Sequence, residues 1–160
     1  SHKAKYEIPL RPSPNLPNSK SIALYPSLCL LEPTVISVGR GTEMQFQIYG
    51  HPQLPETNFS FTPRPNYGSK NPKLKDQTCH GVDLRKFENP EKIELKWLIQ
   101  AYRNFPDKES FFKEGFYRIA GNKKLKKQLA EGMNEQQIRK TWEKDIEKFK
   151  KIRRKYLIYP

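Results

Sequence analysis

The stretch Asn89-Pro90-Glu91-Lys92-Ile93-Glu94-Leu95-Lys96-Trp97-Leu98-Ile99-Gln100-Ala101-Tyr102 is where the chain changes character. Asparagine is a favoured N-cap, and proline at the first helical position gives up an amide that had no partner anyway. Glu91 then meets the positive end of the helix dipole. Ile93, Trp97, Leu98, Ala101 and Tyr102 follow as one apolar stripe at helical spacing. A helix is expected from Pro90 onward. Before this point prolines and glycines are dense and hydrophobic runs are short; after it helical patterns dominate. The fold class expected is α+β: an irregular β-rich half to about residue 88, built as a small barrel-like or mixed sheet, followed by about three helices from about residue 90.

Working back toward the N-terminus, Met44-Gln45-Phe46-Gln47-Ile48-Tyr49-Gly50 alternates apolar and polar side chains, as a half-buried strand does. Phe59-Ser60-Phe61-Thr62 alternates likewise, and Thr78 to Leu84 is a third strand candidate. Arg64 to Asp76 has no period and reads as a loop. Ser21-Ile22-Ala23-Leu24-Tyr25 reads as a short strand stopped by Pro26, whereas Ser27 to Leu31 is too short to fix a period. Residues 1–20 form a proline-rich lead-in. Pro12, Pro14 and Pro17 predict an extended course from Arg11 to Asn18, because each ring fixes φ and biases the residue before it. Residues 21–160 read as a single domain.

Toward the C-terminus, Asn122 is placed to cap a short helix carrying Leu125 and Leu129 and closed by Gly132. Asn134 and Gln137 have capping-box spacing. The long last helix that follows presents Ile138, Trp142, Ile146, Phe149, Ile152 and Tyr156 at steps of three and four. That stripe is expected to lie in the core, where each large side chain contributes about 1.5–3 kcal/mol.

The 160 residues suit one domain with one core, and an aromatic share of 12% separates the chain from disordered sequences despite a mean hydropathy of -0.89. The net charge of +13 predicts attraction to polyanions. Nucleic acid is not the expected partner. The cations between Lys123 and Lys155 are interspersed with Glu131, Glu135, Glu143, Asp145 and Glu147, as on solvated helix faces, and no zinc-finger or RNA-binding signature appears. No apolar run reaches the roughly 20 residues of a membrane span. The polar start Ser1-His2-Lys3-Ala4-Lys5-Tyr6 lacks the apolar core of a signal peptide. Cys29 and Cys79 suit either one disulfide or two thiols, and the histidines have no metal-ligand spacing.

The densest polar cluster is Glu32-Pro33-Thr34-Val35-Ile36-Ser37-Val38-Gly39-Arg40-Gly41-Thr42. Two glycines let the backbone take positive φ around Arg40, whose planar fork suits a carboxylate, phosphate or sugar oxygen. Thr34, Ser37 and Thr42 add hydroxyls, and Glu32 supplies an acid, a base or a hydroxyl acceptor. An Arg40–Glu32 ion pair that merely holds the loop is the plainer alternative. Asp83 is a distant second acid. No phosphate-binding loop and no Gly-x-Ser-x-Gly elbow is present.

In combination these residues resemble a known family. Pro12-Ser13-Pro14-Asn15-Leu16-Pro17, Tyr25-Pro26-Ser27-Leu28-Cys29-Leu30-Leu31-Glu32 and Ser37-x-Gly39-Arg40-Gly41-Thr42, together with Phe46, Gly50, Pro52, Cys79-x-Gly81-Val82 and the Ile138-to-Tyr159 ending, resemble the C-terminal portion of the NamZ family of exo-β-N-acetylmuramidases. Phe116-Tyr117-Arg118-Ile119-Ala120-Gly121-Asn122 is similar to a Phe-Asp-x-Leu-Ala-Gly-Thr pattern of that family. The resemblance implies a glycoside hydrolase that needs no cofactor or metal and removes N-acetylmuramic acid from the non-reducing end of peptidoglycan fragments. It implies an exported, periplasmic or extracellular location. It also implies a cleft shared with an N-terminal Rossmann-like domain that would hold the leading catalytic acid. The residues placed on this side of the cleft are Glu32, Ser37, Arg40, Thr42 and Asn15, with Arg40 on the lactyl carboxylate of a muramic-acid-containing glycan. A non-catalytic module that binds cell-wall glycan or polyanion is the alternative. Two departures stand out: Pro33 replaces a glycine and removes an amide donor, and Gln45 replaces a frequent proline.

Overall fold

The structure is a computed structural model, and it describes residues 8–158. The α+β class expected from the sequence is what the chain adopts. Three short antiparallel strands, β1 (Ile48–His51), β2 (Ser60–Phe61) and β3 (Cys79–Asp83), form an open sheet in the order β1-β3-β2 rather than a barrel. Helices surround it: α1 (Ser19–Leu28), α2 (Lys96–Asn104), α3 (Phe116–Ala120), α4 (Lys124–Ala130), α5 (Glu135–Lys140) and α6 (Glu143–Arg153). The first seven residues of the proline-rich lead-in lie outside the described residues.

The sheet is held together where side chains are smallest. Gly50 of β1 faces Gly81 of β3, and the register runs from Ile48 opposite Asp83 to His51 opposite His80. A Cβ on Gly81 would lie 1.9 Å from the Tyr49 carbonyl oxygen, so only glycine permits this approach. The outer edge of β1 is not left bare. Ser37 and Gly50 exchange both backbone hydrogen bonds, at 2.9 and 3.0 Å, which fixes the Glu32–Thr42 segment to the sheet.

The largest correction concerns Ser21–Tyr25, expected as a strand. It lies inside α1. Asn18 Oδ1 accepts from the Ser21 amide at 2.9 Å, and the Ser21 hydroxyl accepts from the Asn18 amide, a reciprocal cap that starts a helix. Pro26 stands within α1, and the chain then tightens into a 3-10 turn over Cys29–Leu31. Leu24, Leu28 and Leu31 are fully buried, one face of a helical period that runs through the proline. Arg11 to Asn18 is not uniformly extended either, since Ser13 and Leu16 pair across Pro14-Asn15 in a tight turn.

Smaller differences follow from local chemistry. The strand expected from Met44 begins only at Ile48, because Phe46 takes a φ of 53° and its amide turns back to the Val38 carbonyl. Gln45 and Gln47 are buried together with their apolar neighbours, so the alternation does not mark an exposed face. The helix expected from Asn89-Pro90 begins at Lys96, leaving Ile93 exposed, although Trp97, Leu98, Ala101 and Tyr102 are buried as expected. Asn122 does accept from the Lys124 and Leu125 amides ahead of α4, and Gly132 closes it with a φ of 75°. Asn134 and Gln137 form the expected capping box on α5.

The long last helix is broken in two. The Thr141 and Trp142 amides bond three residues back, to Ile138 and Arg139, which interrupts the helical ladder. Gln128 of α4 donates to the Thr141 hydroxyl at 3.0 Å and pins the break to the body. Ile138 is fully buried before the break, but beyond it no residue of α6 is buried. The expectation that Ile146, Phe149, Ile152 and Tyr156 belong to the core is therefore corrected. Both cysteines are free thiols, and burial raises the Cys79 thiol to about 12.

Gly81→Ala should destabilise the chain by about 3 kcal/mol, read as a lowered midpoint in thermal denaturation. An unchanged midpoint would mean that β1 and β3 do not approach as closely as described.

Candidate functional site

The site is built on the segment that Ser37 and Gly50 fasten to the sheet. Gly39 and Gly41 take φ values of 80° and 82°, and Arg40 projects between them. A Cβ at Gly39 would lie 2.7 Å from Ile48 Cγ1, and one at Gly41 would lie 2.6 Å from Pro72 Cβ, so both glycines are required by space as well as by conformation. Arg40 Nε donates to Glu32 Oε1 at 2.7 Å, and Nη2 stands 2.7 Å from the same oxygen in a salt bridge. The guanidinium carbon stands 5.1 Å from the centre of the Phe46 ring, which the Tyr25 ring meets edge-on. Carboxylate on one edge and aromatic face beneath fix the guanidinium in one plane.

Exposure decides what this pair can do. The side chains of Arg40 and Glu32 are 36% and 28% exposed, so the pair contributes only about 0–1 kcal/mol to stability. Its effect is orientation. Among the described residues nothing accepts from Arg40 Nη1 and nothing donates to Glu32 Oε2. The two N–H groups of Nη1 and the lone pairs of Oε2 remain without a partner there.

The other residues expected at the site divide. Ser37 is buried and its hydroxyl accepts from the Gly39 amide, so it shapes the turn without reaching the surface. Thr42 gives its hydroxyl to the Gly39 carbonyl at 2.7 Å and accepts from the Met44 amide at 2.9 Å; its side chain, too, is spent on the loop. Asn15 comes close only through an intermediary: its Nδ2 donates to the Gly68 carbonyl at 2.7 Å, and Asn66 of the same turn donates to the Thr42 carbonyl. Asp83 is bound by the Arg85 guanidinium, which lowers its pKa. Pro33 directs its carbonyl to the Lys113 amide. Gln45, which replaces a frequent proline, is fully buried, and neither atom of its amide has a partner among the described residues.

Sequence reading missed Lys73. It lies in a stretch without periodicity, yet its ammonium donates to the carbonyls of Glu32, Thr34 and Ile36 at 3.1, 2.7 and 2.7 Å. Three donors meet three acceptors on alternate residues of the site segment. Burial and the charges of Lys113 and Arg40 lower its pKa to about 8, against the opposing pull of Glu32. Burial, then Lys73, also lowers His51, whose Nδ1 accepts from the Gln53 amide. With Arg40, Lys73 and Lys113 around one carboxylate, the site has a net positive field.

The site is open. Two concavities lie elsewhere, one of about 40 Å³ beside Tyr49 and Gln100 and one of about 230 Å³ between Pro26 and Ile93. Neither is lined by Arg40 or Glu32. Among the described residues no three metal-ligating side chains converge.

The chain is a small α+β domain that presents an oriented guanidinium–carboxylate pair on open surface. The family model described as exo-beta-N-acetylmuramidase NamZ, C-terminal, matches residues 23–159, and the chain belongs to that family. It is similar to the peptidoglycan beta-N-acetylmuramidase NamZ of Bacillus subtilis (strain 168), with 33% identity over 92% of this chain and 40% of that protein. It is also similar to a solved DUF1343 family protein of Bacteroides fragilis NCTC 9343, at 42% identity and a TM-score of 0.93 over 99% of this chain and 46% of the other. A second such protein from that organism shares the fold at 19% identity and a TM-score of 0.66. The chain spans less than half the length of each of these relatives.

Lys73→Met should leave three carbonyls without their donor and destabilise the chain by about 3 kcal/mol at neutral pH. Between about pH 8 and 10 the unfolded lysine holds its proton while the folded one has released it, so unfolding takes up a proton and this group's contribution to stability rises with pH. Urea titrations across that range should show the gap between the native chain and the variant widening. A pH-independent gap would remove Lys73 as the titrating group.

Proposed function

We propose that this chain forms one wall of the substrate cleft of an exo-acting β-N-acetylmuramidase, with the opposite wall and the leading catalytic acid on an N-terminal Rossmann-like domain of the same polypeptide. Membership of the family and the likeness to a protein named for this activity support the reaction class. The observation that carries the assignment of residues is the Arg40–Glu32 pair, oriented from below and open above.

Muramic acid differs from glucosamine by a lactyl ether that ends in a carboxylate. A guanidinium with a free edge in a net positive field accepts that group through a charge-assisted hydrogen bond contributing about 1.5–3 kcal/mol. Glu32 Oε2 then takes a hydroxyl of the same sugar. Ser37, Thr42 and Lys73 act one step back, by keeping the loop in shape. A substrate derived from peptidoglycan goes with an exported protein, periplasmic or extracellular. The +13 charge favours a second reading, a binding module for cell-wall glycan or polyanion without chemistry. Release of free muramic acid by the complete polypeptide separates the two.

Arg40→Ala in the complete source enzyme should lower kcat/KM on a chromogenic muramide by about 10- to 100-fold, with an unaltered circular dichroism spectrum. Hydrolysis of the corresponding glucosaminide, which lacks the carboxylate, should respond much less. Wild-type kinetics on the muramide would remove Arg40 from the site.

A further inference from the structure

Helix α6 and the 3-10 turn after it, Arg154–Tyr156, carry an apolar face of which no residue is buried among the described residues. Ile146 is 44% exposed, Phe149 62%, Ile152 49% and Tyr156 77%, at steps of three and four along one side. Lys144, Lys148, Lys151 and Lys155 run beside it at helical spacing, and Glu143, Glu147, Lys150 and Arg154 lie on the side opposite the stripe. An amphipathic helix buries its stripe in something.

We infer that this face is the seat of the remaining half of the polypeptide, a folded domain offering an apolar groove with an acidic rim. Three observations choose this occupant. First, the Bacteroides fragilis relative keeps the same arrangement over 99% of this chain while being more than twice as long, so the helix holds its place in a molecule that has further protein to cover it. Second, two copies at +13 each repel one another, which opposes a dimer through this face. Third, Asp145 lies one turn before Phe149 on the apolar side. A carboxylate there is repelled by an anionic bilayer but is readily met by a donor on a protein surface.

The inference rests on the two-domain part of the reading above but not on its chemistry, because its test uses no substrate. Hydrogen–deuterium exchange of residues 143–156, read by mass spectrometry, compares the 160-residue chain with the complete source polypeptide. In the complete protein these amides should exchange at least about tenfold more slowly. Phe149→Asp combined with Ile152→Asp should abolish that protection and leave α2 protected in both forms. Equal exchange in the two native proteins overturns the inference, as does a source polypeptide with no second half. Concentration-dependent dimers of the 160-residue chain that the double variant abolishes would assign the face to a second copy. A Trp142 blue shift on vesicles of phosphatidylcholine with phosphatidylglycerol, lost in the double variant, would assign it to a membrane surface.

Discussion

The two hydrogen bonds exchanged between Ser37 and Gly50 join the two parts of the molecule on which everything else rests. On one side, Gly50 sits in β1 opposite Gly81, so the sheet is closest at the residue that also reaches outward. On the other, Ser37 ends the segment that descends from α1 through Cys29–Leu31 and Glu32. A displacement of Gly50 would therefore move Arg40 relative to Phe46 and Tyr25. The backbone carries the site, and the side chains adjust its outline. This is why so many of its hydroxyls, those of Thr34, Ser37 and Thr42, bond to main-chain atoms of their own loop.

Lys73 acts on the same segment from the opposite side. Its three carbonyl acceptors sit at alternate positions of a segment that leaves a helical turn at Glu32, and together they present one polar edge to the ammonium. A neighbouring strand would satisfy such an edge with amides; here one ammonium replaces it. That substitution costs desolvation, and the lowered pKa is its signature. It also brings a positive charge beneath Glu32, which an amide ladder would not. The device that holds the loop thus sets its electrostatics.

Legibility in the sequence followed the range of the forces involved. Capping at Asn134, termination at Gly132 and the strand at Cys79–Asp83 depend on residues within a few positions, and each could be read directly. Helix α1 could not, because Pro26 outweighed a Leu24–Leu28–Leu31 period that only tertiary burial makes decisive. The Gly39-Arg40-Gly41 turn and its pairing with Glu32 were legible, since the glycines, the fork and the acid lie within one short run. Lys73 was not. Its partners are some forty residues away, its own surroundings have no period, and a lysine in a loop ordinarily points to water. Ser37 and Thr42 were drawn into the ligand set by residue type, whereas the structure spends their hydroxyls on the turn.

The last helix shows how a periodic pattern states that burial occurs without stating against what. Ile138 through Tyr156 keep a helical beat, and the first of them is sealed in the core as that beat requires. Thr141 and Trp142 then break the ladder, and the same beat continues on a face turned away from the body. Among the described residues nothing buries the apolar face of the second part, and nothing encloses the oriented Arg40. Both features make physical sense in a molecule about twice as large, where an inner surface would be shared between this domain and its neighbour. On the two-domain reading proposed above, the open site and the uncovered stripe share one explanation, in which this domain is one wall and the partner supplies closure.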